Sequence, residues 1–438
     1  MRRTLSALGF VLAIPALAET PSIDPQLAAK YFQQLEQTSA RDGKGLWGIP
    51  ICGPIFFVDR KTREVVANQG DAEGLLKPLD GVFVGSFPKE KNVANTAIDW
   101  AGVSWTMVLW PVPEWRQARE RLLVHECFHR IQGSIGLPAR DAVNSHLESR
   151  DGRIWLQLEW RALERALRQS GEARKHSIAD ALLFRAYRHS LFSDAAENES
   201  KLELNEGLAE YTGMKLSSET TEELAVRANQ AIRDSRNAAT LGRSFAYVSG
   251  PAIGALLDLR GKPWRTRVAA VGDLGRMLTA AYVIPYPHPD ARRAEAAGSR
   301  YGAEEVIGFE NRREEKRLRD VASAKRRFLE GPVLVLPLSP NVSYSYDPNN
   351  VFAIDATNTV YPILRLVDEW GILEVGDGAW LMRDSKGAFT RAQVEAPALL
   401  SARPLKGKGW SLELKEGWSV VAGERAGDFR VGKEAAAK

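Results

Sequence analysis

Near Glu114 the spacing of apolar residues changes from strand-like to helical, and after Gly331 it changes back. Before the first change, "GPIFFVDRKTREVVAN" has two apolar, β-branched runs around a charged turn and predicts a hairpin. "GVSWTMVLWPVP" predicts a further strand, stopped by Pro111 and Pro113. Upstream, Asp24-Pro25 supplies a capping side chain and a proline at the first helical position, so a helix is expected over "PQLAAKYFQQLEQ". Between Glu114 and about residue 260, apolar residues recur at three- and four-residue spacing in "RIWLQLEWRALERALRQ", "IADALLFRAYRHSLF", "KLELNEGLAEYTGMKL" and "SGPAIGALLDL". Strands first and helices after imply an α+β domain up to about residue 285.

"IPYPHPDARRAEAAGSRYG" interrupts this pattern, and "EEVIGFENRREEKRLRDVASAKRRFLEG" predicts a highly charged, exposed helix. Beyond Gly331, short apolar runs such as "VLVLPL", "VYPILRLV" and "WSLELKEGWSVVAG" alternate with turn residues, as in a small all-β domain. The tail "GKEAAAK" is polar and expected to fray. The expected organisation is a signal segment 1–18, an α+β domain 19–285, a linker and charged helix 286–330, and a C-terminal β domain 331–438.

The signal reading rests on Arg2 and Arg3, the apolar run from Leu5, and Ala16-Leu17-Ala18 before Glu19, an order that predicts export and cleavage after Ala18. The run is short and broken by Pro15, so stable membrane insertion after cleavage is not expected. The net charge of +4 falls by two without Arg2 and Arg3, and the remaining basic residues are scattered, which gives no case for nucleic acid. Cys52 and Cys127 are too few for a disulfide framework; they are either one bridge or two small buried hydrophobes.

The chemistry concentrates in "RERLLVHECFHRIQG", which holds two of the six histidines. Residues four apart share a helix face, so His125 and His129 can reach one ion. Glu126, offset by one position, stands where a carboxylate can take a proton from a water on that ion. Cys127 points away and is not a ligand. A catalytic zinc site usually has three protein ligands and one open position. Gln132 and Ile135 rule out the glycine and histidine of the metzincin continuation. His146, His176 and His189 read as surface histidines, and His288 falls in the proline-rich break.

A better candidate for the third ligand lies in "KLELNEGLAEYTGMKL". Asn205-Glu206-Gly207-Leu208-Ala209-Glu210-Tyr211 resembles the second motif of the gluzincin metallopeptidases, most closely the aminopeptidase N branch and its thermolysin-like relatives. The resemblance implies a zincin-like fold over 19–285, Zn2+ held by His125, His129 and Glu206, Glu126 as general base, and Glu210 orienting His125. It also implies a peptide or protein substrate. Gly207 would let its helix approach the His125 helix closely. The other reading of Glu206 is a solvated acidic face shared with Glu199 and Glu203.

Tyr247-Val248-Ser249-Gly250 is similar to the family's Y-x-K-G stretch, whose tyrosine stabilises an oxyanion; a buried structural tyrosine explains it equally well. The likeness covers about residues 95–260 and is specific at two short motifs. The interval between His129 and Glu206 is longer than in the family, filled by about two extra helices, and Tyr247 follows Glu206 more closely. The family's G-A-M-E-N signature is absent, so aminopeptidase activity is not supported. "AGVSWTMVLW" is expected to pair with extended peptide as an edge strand. The expected function is that of an exported zinc-dependent peptidase; the alternative is an exported, non-catalytic ligand-binding protein on the same scaffold.

Overall fold

The computed structural model describes residues 22–434, apart from 44, 239, 348–350, 356, 398 and 401–403. The predicted signal segment lies outside the described residues. The chain is a mixed α+β structure, with strands first, helices next and strands again at the end.

Helix α1, Pro25–Asp42, starts where the Asp24 side chain accepts from the Gln26 and Leu27 N–H groups. It buries Ala28, Tyr31, Phe32 and Leu35 at helical spacing. Beneath it lies a six-stranded sheet of β1 (Ile55–Asp59), β2 (Glu64–Ala67), β3 (Lys77–Leu79), β4 (Val82–Ser86), β5 (Thr96–Trp100) and β6 (Val103–Trp110). The strand order is β3-β4-β2-β1-β6-β5. The expected hairpin is β1–β2, its turn held by Asp59 accepting from the Lys61 and Thr62 N–H groups. Four successive β1 residues, Ile55 to Val58, are buried because both faces of the sheet are covered. Phe57 stacks on Phe32 of α1, while Phe56 packs with Trp100 and Trp105 on the far face.

One expectation is corrected here. "GVSWTMVLW" forms β6, but β6 lies between β1 and β5 and has no free edge. The edge belongs to β5, which among the described residues pairs antiparallel with β6 alone.

The helical layer comprises α2 (Arg116–Ile131), α3 (Arg150–Arg168), α4 (Gly171–Leu191), α5 (Ala195–Leu202), α6 (Leu208–Leu216), α7 (Thr221–Ser235) and α8 (Ala246–Leu259). α2 buries Leu123, Val124 and Cys127 against the sheet. The long interval between the two motifs is occupied mainly by α3 and α4, an antiparallel pair with Trp160, Leu163 and Phe184 in the largest core. Between α5 and α6 the helix widens over Glu203–Gly207 into one π-helical turn, closed by the Leu208 N–H to the Glu203 carbonyl.

Glycines set how closely the helices approach, though not as the sequence suggested. A β-carbon on Gly207 would press on the backbone of Ala246 and Gly250, so Gly207 admits α8. Close approach to α2 is made by Gly213, whose added carbon would meet the Arg121 carbonyl. Gly250 faces Gly207 with no room on either side, and Gly254 lies against the Tyr211 ring.

The charged helix Ala303–Lys325 is largely exposed, yet Glu310 is fully buried against the equally buried Arg153 of α3, at 2.6 Å. The C-terminal strands, from β7 (Val333–Pro337) and β8 (Ser343–Tyr346) to Phe429–Lys433, form a seven-stranded and a five-stranded sheet around Leu334, Leu366, Trp370 and Leu381. Among the described residues no helix is long and apolar enough to cross a membrane.

Gly250→Ala would force a carbon to 2.4 Å from Gly207 and push α8 off the segment that carries Glu206. A stability loss of about 1–3 kcal/mol is expected by denaturant titration. Gly133→Ala, where the added carbon meets nothing, should stay within about 0.5 kcal/mol of the parent.

Candidate metal centre

The four-residue repeat on α2 places both imidazoles on the face turned from the sheet, while Cys127, between them, faces inward. Both cysteines are free. Glu206, on the π turn, meets the histidines from the other side: its Oε2 lies 3.5 Å from His125 Nε2 and 3.6 Å from His129 Nε2. The two Nε2 atoms are 3.2 Å apart. His125, His129 and Glu206 are thus brought together, with one candidate ligand atom from each within 4.8 Å of the others.

The surrounding hydrogen bonds say what this cluster can hold. His125 Nδ1 is 2.9 Å from Glu210 Oε2, and His129 Nδ1 is 3.1 Å from Gln132 Oε1. Carboxylate and amide oxygens only accept, so each Nδ1 carries a proton, and in the neutral ring each Nε2 is the atom that presents a lone pair. Three electron-rich atoms therefore converge, an arrangement that repels itself unless positive charge lies between them. Two nitrogens on one tetrahedral ion, each about 2.0–2.1 Å from it, stand about 3.3 Å apart, which matches the observed separation. The donor set fits a divalent metal, with Glu210 and Gln132 fixing the ring orientations.

The same crowding acts on protons. Burial opposes a charge on His125, but the bonds to Glu206 and Glu210 win and push its pKa up to about 10. Burial also works against the charge on Glu206, yet the two histidines and Arg243 hold its carboxyl well below the usual range. Glu126, buried beside the cluster, is moved the other way: loss of water raises its pKa, with His125 and His129 only partly countering. A carboxyl so raised is a better proton acceptor than an exposed one.

Tyr247, at the start of α8, stacks on His125 with ring centroids 5.5 Å apart and planes 8° from parallel. Its hydroxyl donates to Glu206 Oε2, the oxygen that faces the histidines. Glu126, the three candidate ligands and Tyr247 line one cleft of about 990 Å³, bordered by β5 and by residues of the C-terminal domain.

Several residues in the site were not marked by the sequence. Arg243, one turn before Tyr247, donates to Glu206 Oε1 and to Asp141 Oδ1, each at 2.6 Å. Gln132, which broke the metzincin pattern, holds His129 and passes a hydrogen bond to Asn205, which donates in turn to Glu206 Oε1. Arg121 pairs with Glu210. The four-residue spacing of Arg243 and Tyr247 was the one available signal, and nothing in it tied Arg243 to Glu206.

The other histidine and acidic readings need correction. His146 and His189 are not surface groups: both bond to buried Glu199, at 2.7 and 2.9 Å. Glu199 and Glu203 are not a solvated face either; both are fully buried and paired with Arg188 and Arg185. The sequence pattern of these acids is helical, but α4 supplies arginines where water was assumed.

The chain matches no family model, no curated protein and no solved structure. The likeness to gluzincins stands on the two motifs.

His129→Ala and Glu206→Gln should each reduce metal retained after dialysis from about one ion per chain to background, measured by atomic emission. Glu203→Gln should retain metal but lower the melting temperature, since Arg185 would lose a buried partner.

Proposed function

We propose that this protein is an exported zinc-dependent peptidase that hydrolyses amide bonds in extended peptides. The observation that carries this reading is the convergence of the His125, His129 and Glu206 lone pairs with buried Glu126 beside them in an open cleft. Zinc held there would supply the positive charge that acidifies a water and favours an oxyanion.

The chain's own groups do the rest. Glu126 takes the proton of the attacking water and returns it to the departing amine, a task suited to a buried carboxylate that lines the cleft beside the ligands. Arg243 and Asn205 donate to Glu206 Oε1, and Oε2, which accepts from Tyr247 and faces the histidines, would be the ligand atom. The Tyr247 hydroxyl, held at Glu206 Oε2, is close enough to the ligands to transfer its hydrogen bond to a developing oxyanion. The β5 edge borders the cleft and offers backbone groups to an extended peptide. A binding protein has no use for a buried carboxylate at this position, and the peptidase reading explains it.

Glu126→Gln should keep fold and metal but lose cleavage of a peptide mixture, read as new termini by mass spectrometry; full activity would remove Glu126 from the mechanism. Tyr247→Phe should slow turnover by roughly a hundredfold to a thousandfold, equivalent to about 2.7–4 kcal/mol, with metal content retained. A purely structural tyrosine would instead lose about 1 kcal/mol of stability and keep its turnover.

A further inference from the structure

The cleft has a second wall, and it too is the edge of a sheet. Among the described residues, β8 closes the five-stranded C-terminal sheet and pairs on one side only, with the strand Leu364–Asp368. Successive residues Tyr344, Ser345 and Tyr346 line the cleft, as do Thr96 and Ala97 at the start of β5 and the three residues before them. A strand that lies face-on contributes every second residue, whereas one that lies edge-on contributes them all, so β8 meets the cleft by its edge.

The pairing fixes which backbone groups of β8 are open. The Asp347 N–H is donated to the Ile363 carbonyl. By the alternation of an antiparallel ladder, Ser345 also turns its N–H and carbonyl to the neighbouring strand, and Tyr344 and Tyr346 turn theirs outward. The two edges are tied at one end. Asn92, just before β5, donates to Ser343 Oγ at 2.8 Å, and Arg365 bonds both Asn92 Oδ1 and the Lys89 carbonyl, at 2.5 and 2.9 Å.

We propose that the C-terminal β domain is the second jaw of the substrate site: a peptide enters as an extended strand and pairs its backbone with the outward groups of Tyr344 and Tyr346 on β8. This rests on the peptidase reading and gives it a substrate class, polypeptide without secondary structure of its own. Backbone pairing would be tolerant of side-chain sequence, and folded proteins would be excluded because their strands are already paired.

The test compares Tyr344→Pro with Tyr344→Ala. Both lose the phenol, but only proline removes the outward N–H, and an edge strand tolerates proline when that N–H faces away from the ladder. With fluorescein-labelled casein, an unfolded substrate, Tyr344→Pro should show a KM roughly fivefold to tenfold above that of Tyr344→Ala, the worth of about one hydrogen bond. Melting temperatures of the two variants establish that both are folded. Equal KM values in two folded variants would overturn the second jaw. If the parent cleaves nothing, the peptidase reading fails, and fluorescence anisotropy of the same labelled casein decides the jaw separately. Weaker binding to Tyr344→Pro than to Tyr344→Ala supports it, and equal binding refutes it. A casein peptide N-methylated at alternate backbone amides should likewise bind more weakly than its unmethylated form.

Discussion

Three lone pairs are held together here on helices that cannot part. The Nε2 atoms of His125 and His129 share one rigid face of α2, so their separation is set by helix geometry. Glu206 is pressed toward them by contacts on both sides of its helix, where Gly213 admits α2 and Gly207 admits α8. Arg243, Asn205 and Tyr247 then leave its carboxylate no other direction to turn. Repulsion that a flexible segment would relieve by moving is retained here, so the cluster could hold a cation without rearranging.

The cluster rests on a scaffold whose interior holds several buried ion pairs. Arg185 and Arg188 of α4 are buried with Glu159, Glu199 and Glu203, and His146 and His189 complete the set around Glu199. Burying such groups gains little stability over an apolar core, but a charge-assisted network accepts few alternative registers. α4 and the Glu203 turn are therefore fixed relative to one another by direction as well as by packing. Glu206 inherits that register.

Local signals in the sequence located much of this. The Asp24 cap, the β1–β2 hairpin, the prolines after β6 and the helical spacing from α2 to α8 each depend on neighbours in sequence, and each is present. The meeting of His125, His129 and Glu206, and the bond from His125 to Glu210, match what the resemblance of the two motifs implied. What escaped was long-range. The sequence does not say that β5 would add outside β6, that Gly207 would face Gly250, or that arginines from α4 would neutralise Glu199 and Glu203. Arg243 reaches Glu206 only because α8 folds back across the π turn, so no spacing along the chain could reveal it.

The π turn at Glu203–Gly207 carries one more residue than the α-helical ladder around it needs. It lets one short segment serve two neighbours, with Glu203 turned to Arg185 and Glu206 turned to the histidines. Removing one of the two residues between Glu203 and Glu206 would restore an unbroken α-helix in which the two carboxylates, then two positions apart, are about 200° apart around the axis. Either the arginine pair or the metal ligand would then face the wrong way. The length of this segment is as much a part of the site as its carboxylate, and a graft of the motif onto a regular helix would carry the letters across without the geometry.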